Sequence, residues 1–514
     1  MNEKETLKNY LKILQEVDVH EPLKNVFTSK GYRSYVTHNP NEKGKDIIAT
    51  NDKENLLISV KKGDIDSSKW NRDVHPTVTK LIKTDINHSQ VNENLPRRFI
   101  LVFTGELKPM MADTIAEMNK NQHKLGEPIV EYWDINNLVN EFDEHLMNSS
   151  LFMSEDLNEV LLSIKKDTFN TKSFKQYIDD QCLDKEPVIL NLILLLILRK
   201  SQKVNNQYAF FFFIEYLLMK IWSKNSLESN LKVLDSSLFD AINSNYVNEL
   251  QTWIQKNKNI VNKKFGLFDD KAKIWSEIVG YPLRTHNFLR RICYLMLNSD
   301  NPKTYLNLLV NLLENNLHVL SMPIFEFQFN TVGLGLNTLI HASKLVEAKD
   351  WYKNIVRNLI FHFHEGYGIL PLEKSICETG DFVLKKNKVG LTSTIFILLE
   401  FSYILDDEES YKIIINWINN NFSNRIVKET LLPIEKNEFE LYTERILNYQ
   451  ELRIDLSGIW DIDKKNYYNM LEKITRQYTM GHKNYILLLI DSVYKDRILQ
   501  EIWRVPIKER KNKK

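Results

Sequence analysis

Between residues 5 and 30 the apolar positions Leu7, Tyr10, Leu11, Leu14, Leu23 and Phe27 fall near helical spacing, so the chain opens on an amphipathic helix with Pro22 marking a break. Gly31 ends it, and the period then shortens. Tyr32 to His38 begins a sheet. Ile47-Ile48-Ala49 and Leu56-Leu57-Ile58-Ser59-Val60 are short apolar runs around Asn51-Asp52-Lys53-Glu54-Asn55, the turn chemistry of a hairpin. Trp70 to Ile86 holds a helix that starts after Pro76. Phe99 to Phe103 is a strand broken by Gly105, and Pro109 to Lys120 is a helix with proline in its first turn. Pro128 to Trp133 is a further strand, and Asp134 caps a helix running to Leu146.

After Asn148 apolar residues recur at three and four, as in Tyr305 to Leu320, Thr338 to Phe363 and Tyr485 to Ile502, and strand-like alternation is rare. The pattern predicts an α/β N-terminal domain, residues 1–148, and a large all-α region, residues 181–514. The Ser-, Asp-, Lys- and Asn-rich stretch 149–180 joins them, and a cluster of Gly, Pro and Lys at 366–387 marks a second break.

Length changes this picture little: 514 residues suit two to four units. Charge changes it more. The net charge is +1, so any attraction to nucleic acid must come from a local patch rather than from the whole chain. Cys182, Cys293 and Cys377 are too scattered for a disulfide framework or zinc spacing. Val188 to Leu198 is far shorter than a membrane span, and Ala209 to Met219 is interrupted by Glu215, so both read as buried helices. The polar start of the chain lacks a secretory signal. The expectation is a cytoplasmic protein with no membrane partner. No Walker-type phosphate loop is found, so nucleotide hydrolysis is not expected of this chain. His362-Phe363-His364 would share a face only if extended, without further ligands at a recognised spacing.

The chemistry lies in the hairpin. Asp46 opens one strand and Lys61 ends the next, so the two side chains can stand side by side at one sheet edge. Ser59 and Lys61 point the same way by strand alternation, and Lys62 the other way. Asp after Gly is commonly a turn residue, and a strand-end lysine is commonly a solvated gatekeeper; the pairing of the two favours function.

Gly31-Tyr32, Gly44-x-Asp46, a strand ending Ser59-x-Lys61, a helix, and the strand Phe99 to Phe103 resemble the restriction-endonuclease-like nucleases of the PD-(D/E)xK group, closest to the Mrr-like branch, over residues 5–145. Ser59 stands where that family places Glu or Gln. The resemblance implies a mixed sheet flanked by helices and Mg²⁺- or Mn²⁺-dependent hydrolysis of DNA. Asp46 would anchor the metal, Glu21 on the first helix would add a second acid, and Lys61 would orient the attacking water. Ser59 would hold a metal-bound water. Lys45, Lys62, Lys69 and Arg72 would then meet phosphates, and Trp70 a sugar or base. It also points to bacterial defence against foreign DNA, with the helical region as sensor or oligomerisation surface and DNA plus a regulatory protein or a second copy as partners. The alternative is a catalytically inactive module that binds nucleic acid or a partner.

Overall fold

Where the chain alternates at period two it forms a five-stranded sheet: β1 (Arg33–Val36), β2 (Ile47–Thr50), β3 (Asn55–Lys61), β4 (Arg97–Phe103) and β5 (Val130–Trp133), side by side in chain order. In this computed structural model the described residues are 3–421 and 460, except 38–44, 84–90, 93, 146–154, 165–170, 183–184, 229–235, 272–273, 300, 325–327 and 366–391. The expected break at 366–387, the tail helix from Tyr485, Gly44 and Cys377 lie outside them.

Strands β1, β2 and β3 run antiparallel, whereas β3, β4 and β5 run parallel, so the sheet is mixed. The hairpin turns tightly because Asn51 Oδ1 accepts the Lys53 and Glu54 N–H groups at 2.8 and 2.9 Å. The parallel pairs need crossovers, and helices supply them. Flanking the sheet are α1 (Glu3–Ile13), α2 (Glu16–Ser29), α3 (Ser67–Lys69), a π turn (Trp70–Val74), α4 (His75–Lys83), α5 (Pro109–Lys124) and α6 (Ile135–His145). One face of the sheet buries Ile48, Leu57, Phe99, Leu101 and Phe103 against Trp70, Val74, Val78 and Leu81. At roughly 1.5–3 kcal/mol for each buried side chain, this layer anchors the crossover helix firmly.

Two local readings shift. The break expected at Pro22 falls at Leu14 and Gln15, where the Gln15 N–H bonds Asp18 Oδ2 at 3.0 Å and begins α2; Pro22 is buried inside that helix. The helix expected after Pro76 begins at Ser67, because Asp66 accepts the Lys69 N–H at 2.8 Å and caps it. Trp70 therefore lies in the core and not on a surface open to a base.

The chain divides into two compact units, Met1–Phe213 and Ile214–Lys514, so residue 148 falls inside the first. The reason is α9 (Pro187–Lys203), which follows α7 (Glu155–Ser163) and α8 (Thr171–Tyr177) and packs on α1. Arg199 of α9 donates to Glu3 of α1 and to Asp143 of α6, joining helices that the sequence placed in separate parts.

Among its described residues the second unit holds no strand, and its helices include Ser236–Val261, Ile274–Asn298, Pro302–Leu320, Gln328–His341, Leu345–His364, Thr392–Ile404 and Glu408–Asn421. The long helix expected over Thr338 to Phe363 is two, separated at Ser343, whose φ is +61°. Glu215 is buried in this unit, accepting from Tyr246 Oη at 2.9 Å, Arg290 at 3.1 Å and Arg291 at 3.3 Å. Among the described residues, no helix is long and apolar enough to cross a membrane.

Candidate active site

Strand β3 ends in an arrangement that its pairing dictates. Ile47 lies opposite Ile58, and the Asp46 N–H also reaches the Ile58 carbonyl, at 2.9 Å, one residue out of the ladder's register, so the chain bulges at Asp46 just before β2. By alternation along β3, Ser59 shares the face that carries Leu57 and, opposite it, Ile48. Ser59, fully buried, donates its hydroxyl to Asp46 Oδ2 at 2.9 Å, and the Val60 N–H donates to the same oxygen at 2.7 Å. Two residues on, Lys61 emerges on that face with its side chain 15% exposed. Its ammonium stands 4.0 Å from Glu16 Oε2 and 4.0 Å from Asp73 Oδ1. Glu16 Oε1 accepts the Lys62 N–H at 2.9 Å, which ties the first turn of α2 to the strand end.

Two glycines make room for this end of the sheet. Gly63 turns the chain out of β3 with φ +73°, in the left-handed region that favours glycine. Gly105 lies so close to the β3 exit that a Cβ there would stand 2.3 Å from both the Asp64 nitrogen and the Gly63 carbonyl carbon. Asp64 and Asp66 are committed to backbone N–H groups, of Glu106 and Lys69 respectively, each at 2.8 Å. Nearby, hydrogen bonding to Lys8 holds the Glu106 carboxyl below the usual carboxylate range.

Of the residues anticipated from the sequence, Asp46 and Ser59 meet directly, and Lys61 lies two residues on from Ser59 along the same strand face. Lys62 adjoins them through its backbone. Lys69 sits at the rim with its ammonium on the Lys62 carbonyl, and Arg72 is exposed on the π turn. Lys45 is buried. Glu21 stands apart, pairing with Lys24 at 2.8 Å on the exposed side of α2. Five residues along a helix is a rotation of about 140°, so Glu16 and Glu21 cannot serve one site, and Glu16 is the acid that reaches the lysine. Its signal was the Gln15–Asp18 helix start, which makes Glu16 a first-turn residue at the sheet end. Asp73 was missed altogether. His362 and His364 end a helix rather than an extended segment, and two residues along a helix point in different directions.

Asp46 and Ser59 could offer oxygen ligands to a small hard cation that keeps most of its own water. Asp46 Oδ2 is bonded twice, while Oδ1 takes no hydrogen bond among the described residues, and the Ser59 oxygen keeps its lone pairs. Among the described residues no three Asp, Glu, His or Cys side chains converge into a closed metal cage. A bound ion would therefore depend on Asp46 and on water. No family model, curated protein or solved structure matches the chain.

Proposed function

We propose that the protein is a metal-dependent DNA endonuclease of the PD-(D/E)xK kind, closest to the Mrr-like branch. The observation that carries this reading is the contact across the hairpin: Asp46 bonded to Ser59, with Lys61 two residues on from Ser59 along the same face of β3. A Mg²⁺ or Mn²⁺ ion on Asp46 would polarise the phosphate and lower the pKa of bound water. Ser59 and the Val60 N–H keep the Asp46 carboxylate from rotating. Lys61, largely shielded from solvent, presents a donor to the attacking water or to a non-bridging oxygen. Glu16, in the first turn of α2, stands beside Lys61, where Glu21 does not reach. Lys62, Lys69 and Arg72 supply positive charge for flanking phosphates, which position the duplex without reading its sequence. Control falls to the helical region or to a partner, and the setting is bacterial defence against foreign DNA, in the cytoplasm.

The test is cleavage of supercoiled plasmid with Mg²⁺ or Mn²⁺ by the full chain and by Asp46→Asn. The wild type should nick or linearise the DNA, and the variant should be slower by about a hundredfold or more, the scale for losing a preorganised electrostatic group. Equal cutting by a folded Asp46→Asn protein removes this hairpin as the active site. Ser59, a neutral buried residue where an acid would serve a metal, favours a second reading: a module that binds DNA or a protein without cutting. Such a module would show salt-sensitive DNA binding and no cleavage in the same assay.

A further inference from the structure

We infer that Asp73 is a positioning residue for Lys61, carried to it by a π turn that Pro76 imposes. The inference rests on the nuclease reading above and names a residue that neither the sequence pattern nor the family signature singles out.

In an α-helix Pro76 would have no N–H to give the Arg72 carbonyl, and its ring would press against that carbonyl. The helix widens instead. The His75 N–H bonds the Trp70 carbonyl five residues back, which defines the π turn Trp70–Val74. Thr77 closes it by donating its hydroxyl to the Asp73 carbonyl at 2.8 Å. Such single π turns concentrate at functional sites, because the extra residue redirects a side chain without ending the helix.

Trp70 and Val74 fix this turn from inside, both buried in the layer that contains Leu57 and Phe103. Asp73 is thereby held at the rim, on the sheet face where Ser59 and Lys61 lie, with Oδ1 4.0 Å from Lys61 Nζ. Glu16 stands at the same distance, from a different helix. Lys61 is thus held between two carboxylates without a short bond to either. The arrangement aims the ammonium while leaving it able to close on a phosphate oxygen. Ser59 brings no charge, so Asp73 and Glu16 are the acids that orient the lysine.

Three variants of the full chain, beside the wild type and Asp46→Asn, test the inference in steady-state plasmid cleavage. Asp73→Asn should lower kcat by about tenfold with KM within about twofold, because the effect passes through a group acting in the transition state. Asp73→Glu should recover part of that loss. Pro76→Ala keeps every carboxylate but lets the turn relax toward an α-helix, so it should lower kcat by about threefold while raising Tm, since a proline inside a helix is destabilising. A purely structural role would lower kcat only together with Tm. Wild-type kcat in Asp73→Asn, beside an inactive Asp46→Asn, overturns the inference alone. A wild type that cuts nothing, or an Asp46→Asn protein that cuts normally, overturns the nuclease reading and the inference with it.

Discussion

At the start of β3, Glu54 accepts from Tyr32 Oη at 2.6 Å and from Arg98 at 2.9 and 3.2 Å, while Arg98 holds Glu131 at 2.9 and 3.0 Å. Asn55 beside them accepts from Thr50 at 2.7 Å and donates to the Asn92 carbonyl at 2.8 Å. At the other end of the same strand, Lys61 stands 4.0 Å from each of two carboxylates. Both ends carry acids and a cation, and only the first brings them to hydrogen-bond length. Groups that serve the fold alone gain by closing completely, since each made bond contributes about 0.5–1.5 kcal/mol. Groups that must meet a substrate are often long until it arrives. On the nuclease reading proposed above, the closed end serves the fold and the open end serves the chemistry.

Matched substitutions give the largest expected separation. Asp46→Asn should cost about a hundredfold or more in cleavage with little change in stability. Arg98→Met should cost about 1–3 kcal/mol in unfolding free energy, read from urea titration, with cleavage per folded molecule unchanged. A reversed result would exchange the roles of the two ends. Ser59→Glu probes the open end from inside. A larger, charged side chain in a fully buried position beside Asp46 should destabilise the metal-free protein by about 2–4 kcal/mol. Mn²⁺ should restore part of that loss as a metal-dependent rise in Tm. No metal response would mean that Asp46 does not hold a cation.

The smallest effect belongs to the closed end. Burial first, and then the hydrogen bond and charge of Glu54, raise the Tyr32 phenol above its ordinary value of 10.0. A raised folded-state pKa contributes stability that is fully present below pH 10 and lost as pH rises through the higher folded value. Tyr32→Phe should therefore flatten the alkaline fall in thermal stability, and a fall identical to the wild type's would show that Glu54 does not perturb this phenol.

Much of the first unit is legible in the sequence because its strands are short apolar runs between strong turn signals. The hairpin that brings Asp46 to Ser59 and the two-residue spacing that sets Ser59 and Lys61 on one strand face are legible in it. Glu16 and Asp73 are not, since each depends on where a helix begins or widens, and a shift of one or two residues rotates the whole face. Glu21 and Glu16, five residues apart, lie about 140° from each other around α2. The separation at residue 148 reads well as a change of period but misses α9, whose apolar run says that it is buried and not against what. Arg199, reaching from α9 to Glu3 and Asp143, is a long-range pairing that no local pattern encodes.

Gly105 carries a consequence for the history of the protein. At Gly126, nothing lies within 4 Å of where a Cβ would be, and only its φ of +70° argues for glycine there. At Gly105 the constraint is space: one methyl group would push apart the loops that leave β3 and β4. A lineage can drift at Gly126 through asparagine, which tolerates that conformation. It has no such intermediate at Gly105, where the first step away from glycine separates the lysine strand from its neighbour. Among descendants of this chain, Gly105 should change only where the lysine of β3 has already been released from selection.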